Sequence, residues 1–218
     1  MNTDSFNLFE KGSLGTCWYG KYHYIEPWAG CAHDCAYCYA RHRSVVASKL
    51  SENGNAFENP ALLFPIDLLL EKIRDGIREN NVKILKLSRY TDFFTPSFVK
   101  DGTSAAVLET LCETPVERII ITTKGAPDDK IFDIMRKYRH KISYNAALKP
   151  ESGYKLEKGA PGTVTRIDAA AKAHALGIKT TIHMDPLIPC MDILENMPPF
   201  FAELKKRGLT RLMFSFLL

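Results

Sequence analysis

The chain has 218 residues, of which 45% are hydrophobic and 25% charged, and its formal net charge is +4. This composition is typical of an ordinary globular protein, and the length allows one domain with a full core. The apolar runs are too short to cross a membrane, and the first residues lack the basic-then-apolar order of a signal peptide. We therefore expect a cytoplasmic protein that makes no membrane contact. The small positive charge permits nucleic-acid binding without requiring it.

Short β-rich stretches alternate with amphipathic helices along the chain. The predicted strands are residues 22–25, 83–87, 118–123, 141–147, 178–184 and 210–216. The predicted helices are residues 39–53, 65–77, 103–111, 127–139, 163–176 and 198–207. Such alternation is typical of an α/β fold with parallel strands and right-handed crossovers, in either an open sheet or a barrel.

The domain organisation is predicted to be simple. We expect residues 1–20 to form an N-terminal arm and residues 21–218 to form a single core domain. The chain stops at the sixth predicted strand with no following helix. We therefore expect either a naturally short protein or a C-terminally truncated fragment.

Three of the six cysteines lie close together, directly after the first predicted strand: Cys31, Cys35 and Cys38. Ligands in parallel α/β folds gather at the carboxyl ends of the strands, so these motif cysteines lie at the expected functional edge. Three clustered thiolates fit an iron–sulfur cube that leaves one iron free for another ligand. A structural zinc ion is the alternative, and it would need a fourth ligand. The nearby histidines that could supply it are His23, His33 and His42.

The spacing Cys-x3-Cys-x2-Cys, with an aromatic residue before the last cysteine, resembles the signature of the radical S-adenosylmethionine (SAM) superfamily. The longer stretch, residues 26–41, is similar to its spore photoproduct lyase-like branch. Further segments follow in the order found in that branch: Thr91-Asp92, residues 122–124, Ser143-x-Asn145, Arg166 and residues 185–189. The resemblance implies an α/β fold, namely a partial (β/α)6 TIM-like barrel of the radical SAM type, open on one side.

The resemblance also implies a cofactor set. The motif cysteines would hold a [4Fe–4S] cluster whose fourth iron chelates S-adenosyl-L-methionine. One electron would cleave the sulfonium to methionine and a 5′-deoxyadenosyl radical, which takes hydrogen from a substrate. The electron would come from a reducing partner such as flavodoxin or ferredoxin. The substrate is unknown, and the family and the mild basicity suggest nucleic acid.

Matching positions imply roles for seven further residues. Tyr37 would lie against the adenine or the cluster, or else only pack beneath the loop. Thr91 and Asp92 would bind the methionine amino group or the ribose, or else form a turn. Lys124 would pair with the cofactor carboxylate, or else be a solvated loop lysine. The remaining three are Ser143, Asn145 and Arg166. Ser143 and Asn145 alternate on one strand face toward the cofactor, and Arg166 reaches the cofactor or else pairs with Asp168 or a helix neighbour.

Two positions bear on the reaction. Tyr39 matches a tyrosine that takes part in radical transfer in the lyase, although a core tyrosine is the plain alternative. Arg89 stands where the lyase is expected to carry its hydrogen-donating cysteine. Arginine cannot give a hydrogen atom as a thiol does, so thymine-dimer repair is not the activity we expect. Cys112 is predicted to pack in a helix, and Cys190 is either a donor or a small buried side chain.

Two other functions compete with the radical SAM hypothesis. The first is a zinc-dependent nucleic-acid-binding module that uses the motif cysteines and a histidine. The second is a catalytically silent, truncated barrel. The colour and iron content of the anaerobically purified protein separate the first from a cluster enzyme, and 5′-deoxyadenosine formation separates the second.

Overall fold

The computed structural model describes residues 6–12, 21–150, 155–187 and 191–216, without the side chains of 191–194 and 216. Cys17 and Cys190 therefore lie outside the described residues, as do residues 188–189 of the last family segment. No helix in the described part of the chain is long and apolar enough to span a membrane.

Seven strands form one sheet in the order β1-β2-β5-β6-β7-β8-β9. Their bounds are β1 Phe9–Lys11, β2 His23–Ile25, β5 Ile84–Leu87, β6 Arg118–Thr123, β7 Ile142–Ala147, β8 Lys179–Leu187 and β9 Leu212–Phe216. Strands β2 and β5 to β9 are parallel, whereas β1 pairs antiparallel with β2. A separate two-stranded ribbon joins β3 (Trp28–Ala29) to β4 (Ala61–Leu62).

Helices connect the parallel strands. Their bounds are α1 Ser44–Glu52, α2 Ile66–Glu79, α3 Pro96–Lys100, α4 Thr103–Glu113, α5 Asp129–Lys137, α6 Thr163–Ala175 and α7 Met191–Lys206, and a 3-10 helix covers Tyr39–His42. The six predicted parallel strands and their helices are confirmed, and the structure adds β1, the β3–β4 ribbon and α3. Helix α7 begins at Met191 and not at Pro198 as predicted. Pro198 and Pro199 lie inside this helix.

The two faces of the sheet differ in polarity because successive strand residues point to opposite sides. The face toward the helices carries the apolar core, for example Leu85, Ile119 and Tyr144. Lys86 and Ser143 both align with Ile120, so they lie on the other, concave face. Strands β1 and β9 are the two edges of this sheet. The fold is thus the predicted partial barrel, open on one side.

Candidate functional site

An open cavity of about 360 Å³ lies at the carboxyl edge of the parallel strands. The motif cysteines border it, together with residues 88–92 after β5 and residues 122–124 at the end of β6. His183 and Asp185 of β8 form the opposite wall. Loops at this edge of a parallel sheet form the binding sites of α/β proteins, so the cavity is the candidate site.

The cysteine loop, residues 30–38, is fixed by its neighbours. Gly30 has φ +88°, and a Cβ there would lie 2.7 Å from the carbonyl oxygen of Phe57. That same oxygen accepts a 2.7 Å hydrogen bond from the amide of Cys31. Glycine is needed because only it takes this left-handed conformation with so little space. The loop leaves Cys31 and Cys35 buried and Cys38 half-buried, all three as free thiols.

The donor set fits an iron–sulfur cube. Among the described residues, no three His, Cys, Asp or Glu side chains converge on one point as ligands of a single metal ion do. A cube needs no such convergence, because each thiolate binds a different iron. Three free thiols that border one cavity therefore fit such a cube. His33, a candidate zinc ligand, has its ring Nδ1 3.3 Å from the Asp92 carboxylate.

Asp92, predicted to bind the cofactor, is held by the protein itself. Its carboxylate accepts hydrogen bonds from the amides of Phe94 (2.9 Å) and Lys124 (2.7 Å) and from the Thr123 hydroxyl (2.5 Å). Burial is the largest single effect on its pKa and would raise it, but the charge of His33 and the hydrogen bonds from His33, Thr123 and Lys124 together lower it. Burial would likewise lower the pKa of His33, but Asp92, with a smaller contribution from Cys31, raises it to about 10. Asp92 thus joins the ends of β5 and β6 to the cysteine loop.

The neighbouring Thr91 and the tryptophan of β3 complete this junction. The Thr91 hydroxyl donates to the carbonyl of Gly30, and the Trp28 indole donates to the carbonyl of Asp92 at 3.2 Å. Thr91 also borders the cavity. The segment after β5 is thereby held in register with the start of the cysteine loop.

Lys124 is a cation on the cavity wall, at the end of β6. Its ammonium lies 5.6 Å from the centre of the Tyr37 ring. Burial would lower its pKa, but Glu157, Cys35 and Asp92 together raise it, so the side chain stays protonated. A fixed cation facing the cavity suits a carboxylate ligand.

Ser143, Asn145 and Arg166 are buried beside the cavity wall. The Asn145 amide donates to the Thr122 hydroxyl at 3.1 Å, and its oxygen has no partner among the described residues. Arg166 donates to the carbonyl of Ala147 (2.9 Å) and to the Glu157 carboxylate (2.7 Å), so its partner is not Asp168. None of the three is among the described residues that border the cavity directly.

Tyr37, in the cysteine loop, and Tyr39, directly after it, differ in environment. The Tyr37 hydroxyl donates to Glu157 and accepts from Lys149 at 2.6 Å. Tyr39 is 57% exposed, and its hydroxyl donates to the carbonyl of Arg89. Tyr39 is therefore not a core tyrosine but a residue of the cavity rim. Both tyrosines border the cavity.

Three buried charged residues of the site have no role predicted from the sequence: Glu26, Lys149 and Glu157. Glu26 accepts hydrogen bonds from the amides of Arg89 and Tyr90, and so fixes the segment after β5. Glu157 and Lys149 lie in the connection between β7 and α6 and match no motif. Burial is the property that marks them, and a single sequence does not give it for charged residues in a loop.

Glu26 is expected to make stability depend on pH. Burial raises its pKa from 4.5 to about 8, against the lowering effect of the Arg89 and Tyr90 amides. The folded chain then keeps a proton that the unfolded chain loses, so this contribution is full below about pH 4.5 and falls as pH rises to about 8. Glu26→Gln should flatten the dependence by up to a few kcal/mol. Urea unfolding at several pH values measures it, and parallel curves for the two proteins would contradict the assignment.

Residues 155–160, here named the covering turn, pack directly on the cysteine loop. The amide of Gly159 donates to the carbonyl of His33 at 2.9 Å, and the amide of Ala36 donates to the carbonyl of Leu156 at 2.8 Å. A Cβ on Gly159 would lie 2.0 Å from the carbonyl oxygen of Ala32. The two backbones are in contact with no room for a side chain.

Gly159→Ala should therefore displace the cysteine loop. We expect a loss of about 1–3 kcal/mol in the free energy of unfolding, because backbone atoms cannot yield as a side chain can. Gly162→Ala is the matched control, since a Cβ there meets no atom within 4 Å, and it should cost under about 1 kcal/mol. Denaturant titration of both variants measures the difference, and equal losses would refute the close approach.

An open parallel half-barrel with three free thiols at its carboxyl edge defines the core of a cluster-binding α/β enzyme. The sequence model of the radical SAM superfamily matches residues 25–189 of the chain. The chain belongs to this superfamily, whose enzymes use a [4Fe–4S] cluster and S-adenosylmethionine. No curated protein matches the sequence.

Solved structures share the fold. A double mutant of spore photoproduct lyase with bound AdoMet and dinucleoside spore photoproduct is 16% identical, with a TM-score of 0.66 over 93% of this chain and 58% of its own. The lyase complexed with dinucleoside spore photoproduct is 18% identical, with a TM-score of 0.63 over 88% and 55%. Native anSMEcpe with bound AdoMet is 14% identical, with a TM-score of 0.58 over 89% and 52%. The chain thus spans between half and six-tenths of the length of these proteins.

Proposed function

We propose that this chain cleaves S-adenosylmethionine reductively and uses the resulting 5′-deoxyadenosyl radical on a substrate, within the spore photoproduct lyase-like branch. The observation that carries the proposal is the set of three free thiols on a cavity that also presents the Lys124 cation. A [4Fe–4S] cluster bound there supplies the one-electron chemistry. Cys31, Cys35 and Cys38 are its ligands.

The other residues of the site bind and orient the cofactor. Lys124 pairs with the carboxylate of S-adenosylmethionine, since it is a protonated cation on the cavity wall. The unpartnered oxygen of Asn145 accepts a hydrogen bond from the ligand or from a water that bridges to it. Thr91 and Tyr37 contact the cofactor from the cavity wall, whereas Asp92 and Arg166 act through the loops that they hold. Ser143 lies on the same concave face as Asn145 and, like it, does not border the cavity, so it too acts on the ligand through a bridging water.

The substrate approaches past Arg89 and Tyr39 at the rim of the cavity. The Arg89 guanidinium lies 4.9 Å from the Tyr90 ring centre and 5.7 Å from that of Tyr24, and it pairs with Glu10 at 2.5 Å. A guanidinium beside aromatic rings suits a base or a phosphate of nucleic acid, which is the substrate class that we propose. Arg89 lacks the weak S–H bond from which a thiol gives a hydrogen atom, so Tyr39 is the candidate for radical transfer.

The electron comes from a reducing partner such as flavodoxin or ferredoxin. Such partners and free thiols occur together in the cytoplasm, where we place the protein. The partner must approach within electron-transfer distance of the cysteine loop. Ala36, Lys155 and Lys158 are exposed around that loop, and the two lysines suit an acidic partner.

Anaerobic reconstitution tests the proposal. A brown protein with about four irons that forms 5′-deoxyadenosine from S-adenosylmethionine after reduction is the expected result. A colourless protein with one zinc would favour the nucleic-acid-binding module instead. A loaded, reduced protein that forms no 5′-deoxyadenosine would favour the silent barrel. Stimulation of cofactor cleavage by ultraviolet-damaged DNA, and not by undamaged DNA, would support the substrate class.

A further inference from the structure

Glu157, a residue of the covering turn, is the centre of a buried network next to the cysteine loop. It is 0% exposed, and its carboxylate lies 3.0 Å from the Lys149 ammonium and 2.7 Å from the Arg166 guanidinium. The Tyr37 hydroxyl donates to the same carboxylate. Lys149 in turn donates to that hydroxyl at 2.6 Å and lies 3.8 Å from the centre of the Tyr37 ring. One carboxylate thus joins the cysteine loop, the end of β7 and helix α6.

The backbone of Glu157 touches a motif cysteine as well. Glu157 and Cys35 form an isolated antiparallel bridge. The flanking bonds from Ala36 to Leu156 and from Gly159 to His33 extend that pairing on both sides. Any shift of Glu157 therefore moves the backbone that carries Cys35.

Cationic side chains lie close to Glu157 and to the motif cysteines. Lys149 and Arg166 pair with Glu157, and Lys124 borders the cavity. A cluster held by three thiolates is anionic, so cations at this place suit such a ligand. The Glu157 carboxylate offsets part of their charge next to Cys35.

We propose that Glu157 is a positioning residue that sets both the place of Cys35 and the electrostatic environment of the cluster. The proposal rests on the cluster chemistry proposed above. A carboxylate close to a redox centre makes reduction harder, and a cation makes it easier. Glu157 and Lys149, although paired with each other, should therefore act on the cluster in opposite directions.

Two substitutions separate this role from a merely structural one. In Glu157→Gln the negative charge is lost while the shape is kept, so the midpoint potential of the cluster should become less negative. In Lys149→Met the positive charge is lost, so the potential should become more negative. General loosening of the site would move both variants in the same direction. The measurement is a redox titration of the reconstituted protein followed by electron paramagnetic resonance, with iron content determined on each sample.

Glu58→Gln is the matched control. Glu58 pairs with Arg41 close to the cysteine loop, but both side chains are partly exposed, so water and salt screen the charge. The midpoint potential of the cluster in Glu58→Gln should therefore stay near that of the wild type. Potentials that are unchanged, or that shift in the same direction, in Glu157→Gln and Lys149→Met at full iron content would overturn the proposal.

A variant that does not retain iron is also informative. If Glu157→Gln loses iron, Glu157→Asp should restore it, because the charge at this point is what holds the loop. If Glu157→Asp loses iron equally, a role for the charge is refuted. If the wild type itself binds no cluster, the proposed function fails, and this inference fails with it.

Discussion

Replacing Cys31, Cys35 or Cys38 with alanine should abolish 5′-deoxyadenosine formation and lower the iron content far below four. Each thiolate binds its own iron, so the loss of one leaves an iron of the cube without a protein ligand. We expect cofactor cleavage to fall by more than about 1,000-fold, since radical formation has no alternative route in the protein. The measurements are iron analysis and chromatographic detection of 5′-deoxyadenosine under dithionite.

Cys112→Ala is the control for that experiment. Cys112 is a free thiol too, 1% exposed, but it lies in α4 within the apolar core. The variant should keep its iron and its activity and lose about 1 kcal/mol of stability at a small cavity. Cleavage that survives in all three motif variants, or that is lost equally in Cys112→Ala, would exclude the motif cysteines as cluster ligands.

Asp92→Ala is expected to have the largest effect on stability. It removes the acceptor of the amides of Phe94 and Lys124 and of the Thr123 hydroxyl, and it leaves buried His33 without its counter-charge. Breaking a buried pair of this kind costs about 3–5 kcal/mol. Urea unfolding of the cluster-free protein under anaerobic conditions measures this loss without any contribution from cofactor binding.

An exposed acidic residue provides the comparison. Asp168 pairs with Arg207 at the surface, and its side chain is more than half exposed. Asp168→Ala should change stability by under about 1 kcal/mol, because water replaces the lost partner. A loss in Asp92→Ala no larger than that in Asp168→Ala would show that the carboxylate does not hold the two strand ends.

Much of the fold could be predicted from the sequence because its strands and helices are regular. The β-branched run of β6 and the Asp128 cap of α5 are local signatures, and the alternation of strands and helices implies the parallel sheet. Strand β1 has only three residues, Phe9–Lys11, and owes its pairing to β2 alone. Three residues at a sheet edge are too few to show an alternating pattern, so the sequence does not predict this strand.

The site, too, has a part that the local sequence predicts and a part that it does not. The motif cysteines could be found because cluster ligands lie close together in the chain. The contact of Tyr37 with Glu157 joins residues 120 positions apart, and nothing local to either one predicts it. The sequence predicts Asp92 as a residue of the site. Its contacts with His33 and Thr123 depend on the folded arrangement of three segments, so the local sequence does not predict them.

The covering turn has a consequence for how the protein matures. Its contacts with the cysteine loop join residues 120 positions apart, so we expect them to form late in folding, after β5, β6 and β7 have assembled. A nascent chain that ends before Glu157 exposes its three thiols without the backbone that holds them in place. We therefore expect a cluster to be inserted only after the chain has folded as far as α6.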